Sequence, residues 1–280
     1  MNRLSGGIIT SFIALAAPAQ ALQVQVTPTN AQLGDTLSVM IQTEASGENP
    51  TVVMQKKTYQ AFPMGNNRFR ALLPITPLDR PGTWQVQVSG EGQVRTLAVQ
   101  VRDRSFPTQS IWLPPGKDEE GTDQEFDRVD AFKALVTPQK YWNGPFIRPN
   151  AGEITTVYGV RRYYNGVFAK DYYHRGVDYA GAYGSPVLAA AAGRVALVGR
   201  ESEGFKIHGN VIGIDHGQGV ATIYLHLSRI NVKEGDFVKA GQTIGALGST
   251  GAATGPHLHW GLYVHGQCVD PVPWRMEGLE

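Results

Sequence analysis

Between Leu22 and Val101 the chain repeats one pattern. Apolar and polar residues alternate in short runs: Leu22/Val24/Val26, Leu37/Val39/Ile41, Phe69/Ala71/Leu73, Trp84/Val86/Val88 and Leu97/Val99/Val101. A period of two is the period of a strand, whose successive side chains point to opposite faces. Turn chemistry separates the runs, at Gly65-Asn66-Asn67, Pro81-Gly82 and Gly90-Glu91-Gly92. Half-buried strands at this spacing predict a small antiparallel sandwich of immunoglobulin-like form over residues 22–101. The acid–base side chains there are scattered, so its expected role is positioning or binding.

From Tyr141 onward the chain is rich in glycine and in short strand-like runs. Ser185 to Val198 reads as strand broken at Gly193, and Val211 to His216 and Val220 to His226 flank Gly217-Gln218-Gly219 as a hairpin. The second domain, expected over residues 143–276, is thus also nearly all β. Two domains suit a chain of 280 residues, and 42% hydrophobic against 18% charged residues describes a protein with a real core. A formal net charge of +1 gives no electrostatic support to nucleic-acid binding. Cys268 is the single cysteine, which excludes an intrachain disulfide and reads as a small buried hydrophobe rather than a nucleophile.

Arg3, the apolar run from Ile8 to Ala17 and the small-x-small sequence Ala19-Gln20-Ala21 predict a signal peptide over residues 1–21, with the mature chain starting at Leu22. The run is shorter than the roughly 20 residues that span a bilayer, and no later segment is long and apolar enough. The expectation is an exported protein, in the periplasm or at the cell wall, without a membrane span in its mature form. Residues 102–142 carry the acidic stretch Lys117 to Asp127 and read as a solvated connector. Val129, Phe132 and Leu135 predict a two-turn helix from Arg128 to Leu135. A sharper alternative to a plain linker is a strip lying over the second domain and limiting access to it.

The chemistry concentrates at Thr254-Gly-Pro-His257-Leu-His259-Trp260. In a strand, residues i and i+2 share a face with Cα atoms roughly 6.6 Å apart, so His257 and His259 can reach one point. His174-Arg-Gly-Val-Asp178 adds an imidazole and a carboxylate. Fully extended, their Cα atoms would lie roughly 13 Å apart, too far to share an ion bound at about 2 Å. A bend is required, and Gly176 permits one through a bulge or a positive φ. A catalytic zinc site uses three protein ligands and leaves one position open. His174, Asp178 and one imidazole of the His257/His259 pair would supply them. No His-Glu-x-x-His helix exists here, so another base is needed. His226, at the end of the hairpin strand, and the free member of the pair could flank the metal and hold or accept a water proton.

These segments, with Tyr224-Leu-His226-Leu-Ser228, resemble the motifs of the lysostaphin-type, or LytM-like, zinc endopeptidases that cut peptidoglycan peptides. The resemblance runs from about Phe146 to Pro273 and includes Gly184-Ser-Pro-Val187, Gly193-Arg-Val195 and Gly248-Ser-Thr-Gly251. It implies an antiparallel β-sheet peptidase domain of duplicated-hybrid-motif type and one Zn2+ held by His174, Asp178 and His259. It also implies His226 and His257 as the catalytic pair, and stem or cross-bridge peptides of peptidoglycan as substrate. Trp260 and Gly261 stand where family members commonly have Phe-Glu. The family's upstream tyrosine near the substrate oxyanion has four counterparts to choose from, Tyr163, Tyr164, Tyr172 and Tyr173. His208, His216 and His265 match no motif.

Two rivals are weighed. A non-catalytic regulator of another cell-wall hydrolase would keep the fold and lose the ligands, all of which are present here. Val232 to Gly245 is similar to biotinyl and lipoyl carrier domains, but Gly217-Gln218-Gly219 offers no lysine for the cofactor.

Overall fold

The computed structural model describes residues 22–44, 49–112, 121–276 and 278. The expected signal peptide, residues 1–21, and part of the acidic stretch, residues 117–120, lie outside them. The N-terminal strands are β1 (Gln23–Thr27), β2 (Thr36–Gln42), β3 (Thr51–Met54), β4 (Lys57–Gln60), β5 (Phe62–Gly65), β6 (Arg68–Pro74), β7 (Gly82–Gly90) and β8 (Gln93–Val101). Among the described residues they form two antiparallel sheets, ordered β1-β2-β6-β5 and β4-β3-β7-β8. Lettered along the chain, these are the A-B-E-D and C′-C-F-G orders of an immunoglobulin-like sandwich. Trp84, Val86 and Val88 of β7 turn inward while Gln85 and Gln87 stay exposed, as the alternation requires.

β6 departs from that rule. Phe69, Ala71 and Leu73 enter the sandwich core, yet Arg70 and Leu72 on the opposite face are buried too. That outer face is covered by the second domain. Arg70 donates to Gln218 Oε1 at 3.0 Å and stacks 5.1 Å over the Trp142 ring. Trp274 Nε1 donates to Thr36 Oγ1 at 3.2 Å, and Leu72 packs into the other domain's core. Leu72→Ala should therefore cost about 2–5 kcal/mol, the usual range for a buried leucine truncation. One cooperative melting transition, shifted down for both domains, would show it; an unshifted transition would count against the coupling.

The connector is structured where described. β9 (Thr108–Ile111) pairs in parallel with β11 (Arg161–Tyr164), which pairs with β12 (Val167–Phe168). Helix α1 spans Asp123–Lys133, earlier than the expected Arg128 to Leu135. Its start is fixed by Thr122, whose side chain accepts from Glu125 N, and its inward face is Glu125, Val129 and Phe132. Leu135, expected on that face, is exposed beyond the helix.

The remaining strands are β10 (Glu153–Thr156), β13 (Val177–Ala180), β14 (Pro186–Leu188), β15 (Gly193–Gly199), β16 (Val211–Gly217), β17 (Val220–Leu225), β18 (Leu227–Ile230), β19 (Phe237–Val238), β20 (Thr243–Leu247), β21 (His257–Val264) and β22 (Gln267–Val269). Helix α2 (Pro271–Met276) follows them. The main antiparallel sheet runs β10-β13-β21-β17-β16-β15-β19, with β22 beside β21, and β14-β20-β18 form a smaller sheet. Its central strands are covered on both faces and read as nearly continuous burial, as in β16, β17 and β21. Cys268 lies in this core, and burial pushes its thiol well above the ordinary range, which suits a hydrophobe and not a nucleophile. No helix among the described residues is long and apolar enough to cross a membrane.

Candidate metal centre

Strand register assembles the site. β13 and β21 pair so that Asp178 lies opposite His259 and Ala180 opposite His257. Directly opposed residues share a sheet face, as do i and i+2, so Asp178, His257 and His259 project to one side. On the other flank β17 sets Leu225 opposite His259, which delivers His226 to the same region.

His174 arrives from the segment before β13. Its backbone is pinned by His174 N to Val160 O and by Gly159 N to His174 O, both 2.9 Å. Gly176 then lies against β21: a Cβ there would sit 2.4 Å from the Trp260 carbonyl oxygen and 2.8 Å from His259 Nε2. Gly176 is not among the residues with positive φ. Of the two routes expected from sequence, a bulge or a positive φ, the second is not used, and the bend between His174 and Asp178 needs glycine for space.

Three donor atoms converge. His174 Nε2 is 3.0 Å from Asp178 Oδ1 and 3.0 Å from His259 Nδ1, and the latter two are 2.9 Å apart. His174 Nδ1 lies 2.9 Å from the Val157 carbonyl, which can only accept, so Nδ1 carries a hydrogen and Nε2 is the nitrogen turned to the cluster. Donors on a tetrahedral ion with bonds of about 2.0–2.1 Å are separated by about 3.3 Å, close to what is found. Relative exposures of 2%, 7% and 9% for His174, Asp178 and His259 make this a desolvated cluster. Burial alone would raise the Asp178 carboxyl, but the two imidazoles outweigh it and hold it well below the usual carboxylate range. Burial holds His259 below its ordinary value against the pull of Asp178. An anionic carboxylate beside a neutral imidazole is the ligating state of each. Among the described residues this is the one group of three or more His, Cys, Asp or Glu side chains close enough to share an ion.

His226 and His257 stand beside it. Their ring centroids are 4.7 Å apart, and His226 is 6.4 Å from His259. His226 Nδ1 donates to Thr250 O and His257 Nδ1 to Gly255 O, both at 2.9 Å. Each Nδ1 therefore carries a hydrogen. Burial, reinforced by His257 and His259, pushes His226 down to about 3, so it is neutral at neutral pH.

All five imidazole and carboxylate residues singled out from sequence thus meet in one place. The tyrosines separate. Tyr173 is buried and donates to Cys268 O at 2.9 Å, and Tyr163 packs on Phe168. The hydroxyls of Tyr172 and Tyr164 accept from Arg162 at 3.0 and 3.4 Å. His216 is a satisfied core histidine, bonded to Ala192 O and Thr222 Oγ1 and pushed down to about 4 by burial. His265 packs edge-on against Tyr59. His208 is different: it pairs with Glu125, a contact the sequence reading missed.

A mainly β protein with a two-His, one-Asp cluster and two further imidazoles beside it is the class defined so far. Residues 172–271 match the family model described as Peptidase family M23, and the chain thus carries an M23 peptidase domain of the LytM-like type. A Vibrio cholerae protein named peptidoglycan DD-endopeptidase ShyC is 47% identical over 98 residues, covering 35% of this chain and 22% of that protein. Lysostaphin of Staphylococcus staphylolyticus is 43% identical over 106 residues, 36% of this chain and 22% of the relative. The chain therefore spans only about a fifth of these curated relatives. A Pseudomonas aeruginosa structure assigned to peptidase M23 shares the fold over 89% of this chain and 96% of its own, with TM-score 0.66 and 24% identity. That likeness extends across the sandwich as well as the peptidase domain.

Proposed function

We propose that the protein is an exported zinc metalloendopeptidase that hydrolyses peptide bonds in peptidoglycan stem or cross-bridge peptides. The observation that carries this reading is the convergence of His174 Nε2, Asp178 Oδ1 and His259 Nδ1 beside the His226/His257 pair. The matched relatives named as a peptidoglycan DD-endopeptidase and as lysostaphin supply the substrate class.

In this reading His174, Asp178 and His259 hold one zinc. When bound, the ion acts as a Lewis acid on the scissile carbonyl and lowers the pKa of water. His226 and His257, each bonded through Nδ1 to a backbone carbonyl, are left with Nε2 for the reacting groups. One ring takes the proton of the attacking water at Nε2; the imidazolium so formed stabilises the oxyanion and then returns that same proton to the leaving amine, with the second ring beside it to relay it. Burial of the cluster keeps bulk water away and strengthens these contacts. The regulator reading is disfavoured because a binding cleft has no use for a complete ligand set with two further imidazoles beside it.

The test is direct. Zinc-loaded protein incubated with purified sacculi should release soluble peptide fragments, and a chelator should stop release until zinc is restored. Zinc-bound protein that releases nothing, or release indifferent to the chelator, would sink the proposal.

A further inference from the structure

We infer that Glu125, on the connector helix and outside the matched peptidase region, is a positioning residue for His226; the inference rests on the peptidase reading above. Glu125 has a relative exposure of 0% although it is an acid on the inward face of a helix. A buried carboxylate is costly unless hydrogen bonds replace its water. Here the loop before β16 supplies them. Oε1 accepts from His208 N at 2.7 Å, from His208 Nδ1 at 2.5 Å and from Ile207 N at 3.1 Å. Oε2 accepts from Lys206 N at 3.0 Å. Burial would raise this carboxyl, but the bonds from His208 and Ile207 prevail and hold it at about 2. The same helical turn adds a second tie, Thr122 Oγ1 to Gly204 O at 3.0 Å.

The pinned loop in turn holds both ends of His226. His208 O accepts from His226 N at 3.1 Å, and Ile207 O accepts from Ala252 N at 3.0 Å. Ala252 lies two residues beyond Thr250, whose carbonyl takes the His226 ring hydrogen and whose Oγ1 accepts from Asn210 N at 2.9 Å. Between them, a Cβ at Gly209 would meet Thr250 at 2.4 Å, so the loop backbone lies directly against Thr250. His226 needs this bracing because its φ is 63°, a left-handed conformation that costs a residue with a side chain about 1–3 kcal/mol. Without the clamp, the backbone of His226 would relax and its imidazole would leave Thr250 O. Every link from helix to loop to imidazole is a direct hydrogen bond or backbone contact, and none passes through the metal ligands.

The experiment uses the full-length, zinc-loaded chain and soluble cross-linked muropeptides released from sacculi. E125Q keeps the side chain's shape but sets an amide N–H against backbone N–H groups. It is expected to lower kcat by about 10–100-fold with KM and zinc content unchanged, the penalty typical of losing a partner that orients a reacting group. In 15N-imidazole NMR, His226 should change from the Nδ1–H tautomer to a mixture. V129A, which removes buried volume from the same helix but none of the hydrogen bonds that hold the loop, should lower Tm yet keep both kcat and the tautomer. The inference is overturned if E125Q retains kcat and an unmixed His226 signal, or if V129A reproduces both losses. Should the parent cut no muropeptide, the peptidase reading fails, and an unchanged His226 tautomer in E125Q would then overturn this inference by itself.

Discussion

His257→Ala is expected to keep the metal and lose the reaction, whereas His259→Ala should lose both. The two imidazoles stand two residues apart on β21 and face the same side, so composition and position barely distinguish them. Their contacts do. His259 Nδ1 lies 2.9 Å from Asp178 Oδ1 and 3.0 Å from His174 Nε2, inside the donor triangle. The His257 ring instead bonds through Nδ1 to Gly255 O and meets the cluster through the ring of His226. Removing His259 leaves two donors, too few for a structural or catalytic zinc site. Removing His257 leaves all three and deletes the imidazole proposed to carry a proton, for an expected loss of about 10²–10⁴-fold in rate. His257 is also a cleaner test than His226, because alanine at the positive φ of His226 would let the backbone relax as well. Zinc content by metal analysis and fragment release from sacculi separate the outcomes. A His257→Ala protein that is fully active, or that has lost its zinc, would refute the assignment.

Much of this was legible because strand parity is a short-range rule. The His257/His259 pair could be read from two residues of spacing, and the sandwich from alternation as regular as that of β7. Where a residue's partner lies far along the chain, the same rule misleads. Arg70 and Leu72 read as solvent-facing members of an alternating strand, and they are buried because Trp142, Gln218 and α2 cover that face. Glu125 read as part of a solvated acidic stretch, since the backbone N–H groups that satisfy it lie more than 80 residues away. One local signal could have moved the helix start: Thr122-x-x-Glu125 has the spacing of a capping box. In the structure only half of that box forms. Thr122 caps Glu125 N, and the Glu125 side chain turns to the loop instead. Gly176 shows the subtler limit: sequence identified the right residue and offered a bulge or a positive φ as its reason, whereas the steric reason depends on β21.

That difference makes Gly176→Ala the sharper structural test. Because Gly176 does not hold a positive φ, alanine fits its backbone and the whole penalty comes from the added carbon. That carbon would lie 2.4 Å from a backbone carbonyl oxygen of the central strand and 2.8 Å from a ring nitrogen of His259, and neither belongs to a flexible side-chain end. Either the segment carrying His174 must lift or β21 must retreat. Both movements open the contacts of 3.0 Å between His174 Nε2 and its two partners. The expected result is a loss of stability of about 1–3 kcal/mol, as for overpacking elsewhere, together with weakened zinc binding and a collapse of turnover. Gly92→Ala supplies the contrast. A Cβ at Gly92 meets nothing within 4 Å, but its φ of 70° is strained for alanine, so that variant should lose about 1–2 kcal/mol with zinc affinity intact. Competition against a chromophoric chelator measures the affinities and thermal melts the stabilities. A Gly176→Ala protein that holds zinc as tightly as its parent would mean that close packing on β21 does not set the geometry of the His174–Asp178 bend.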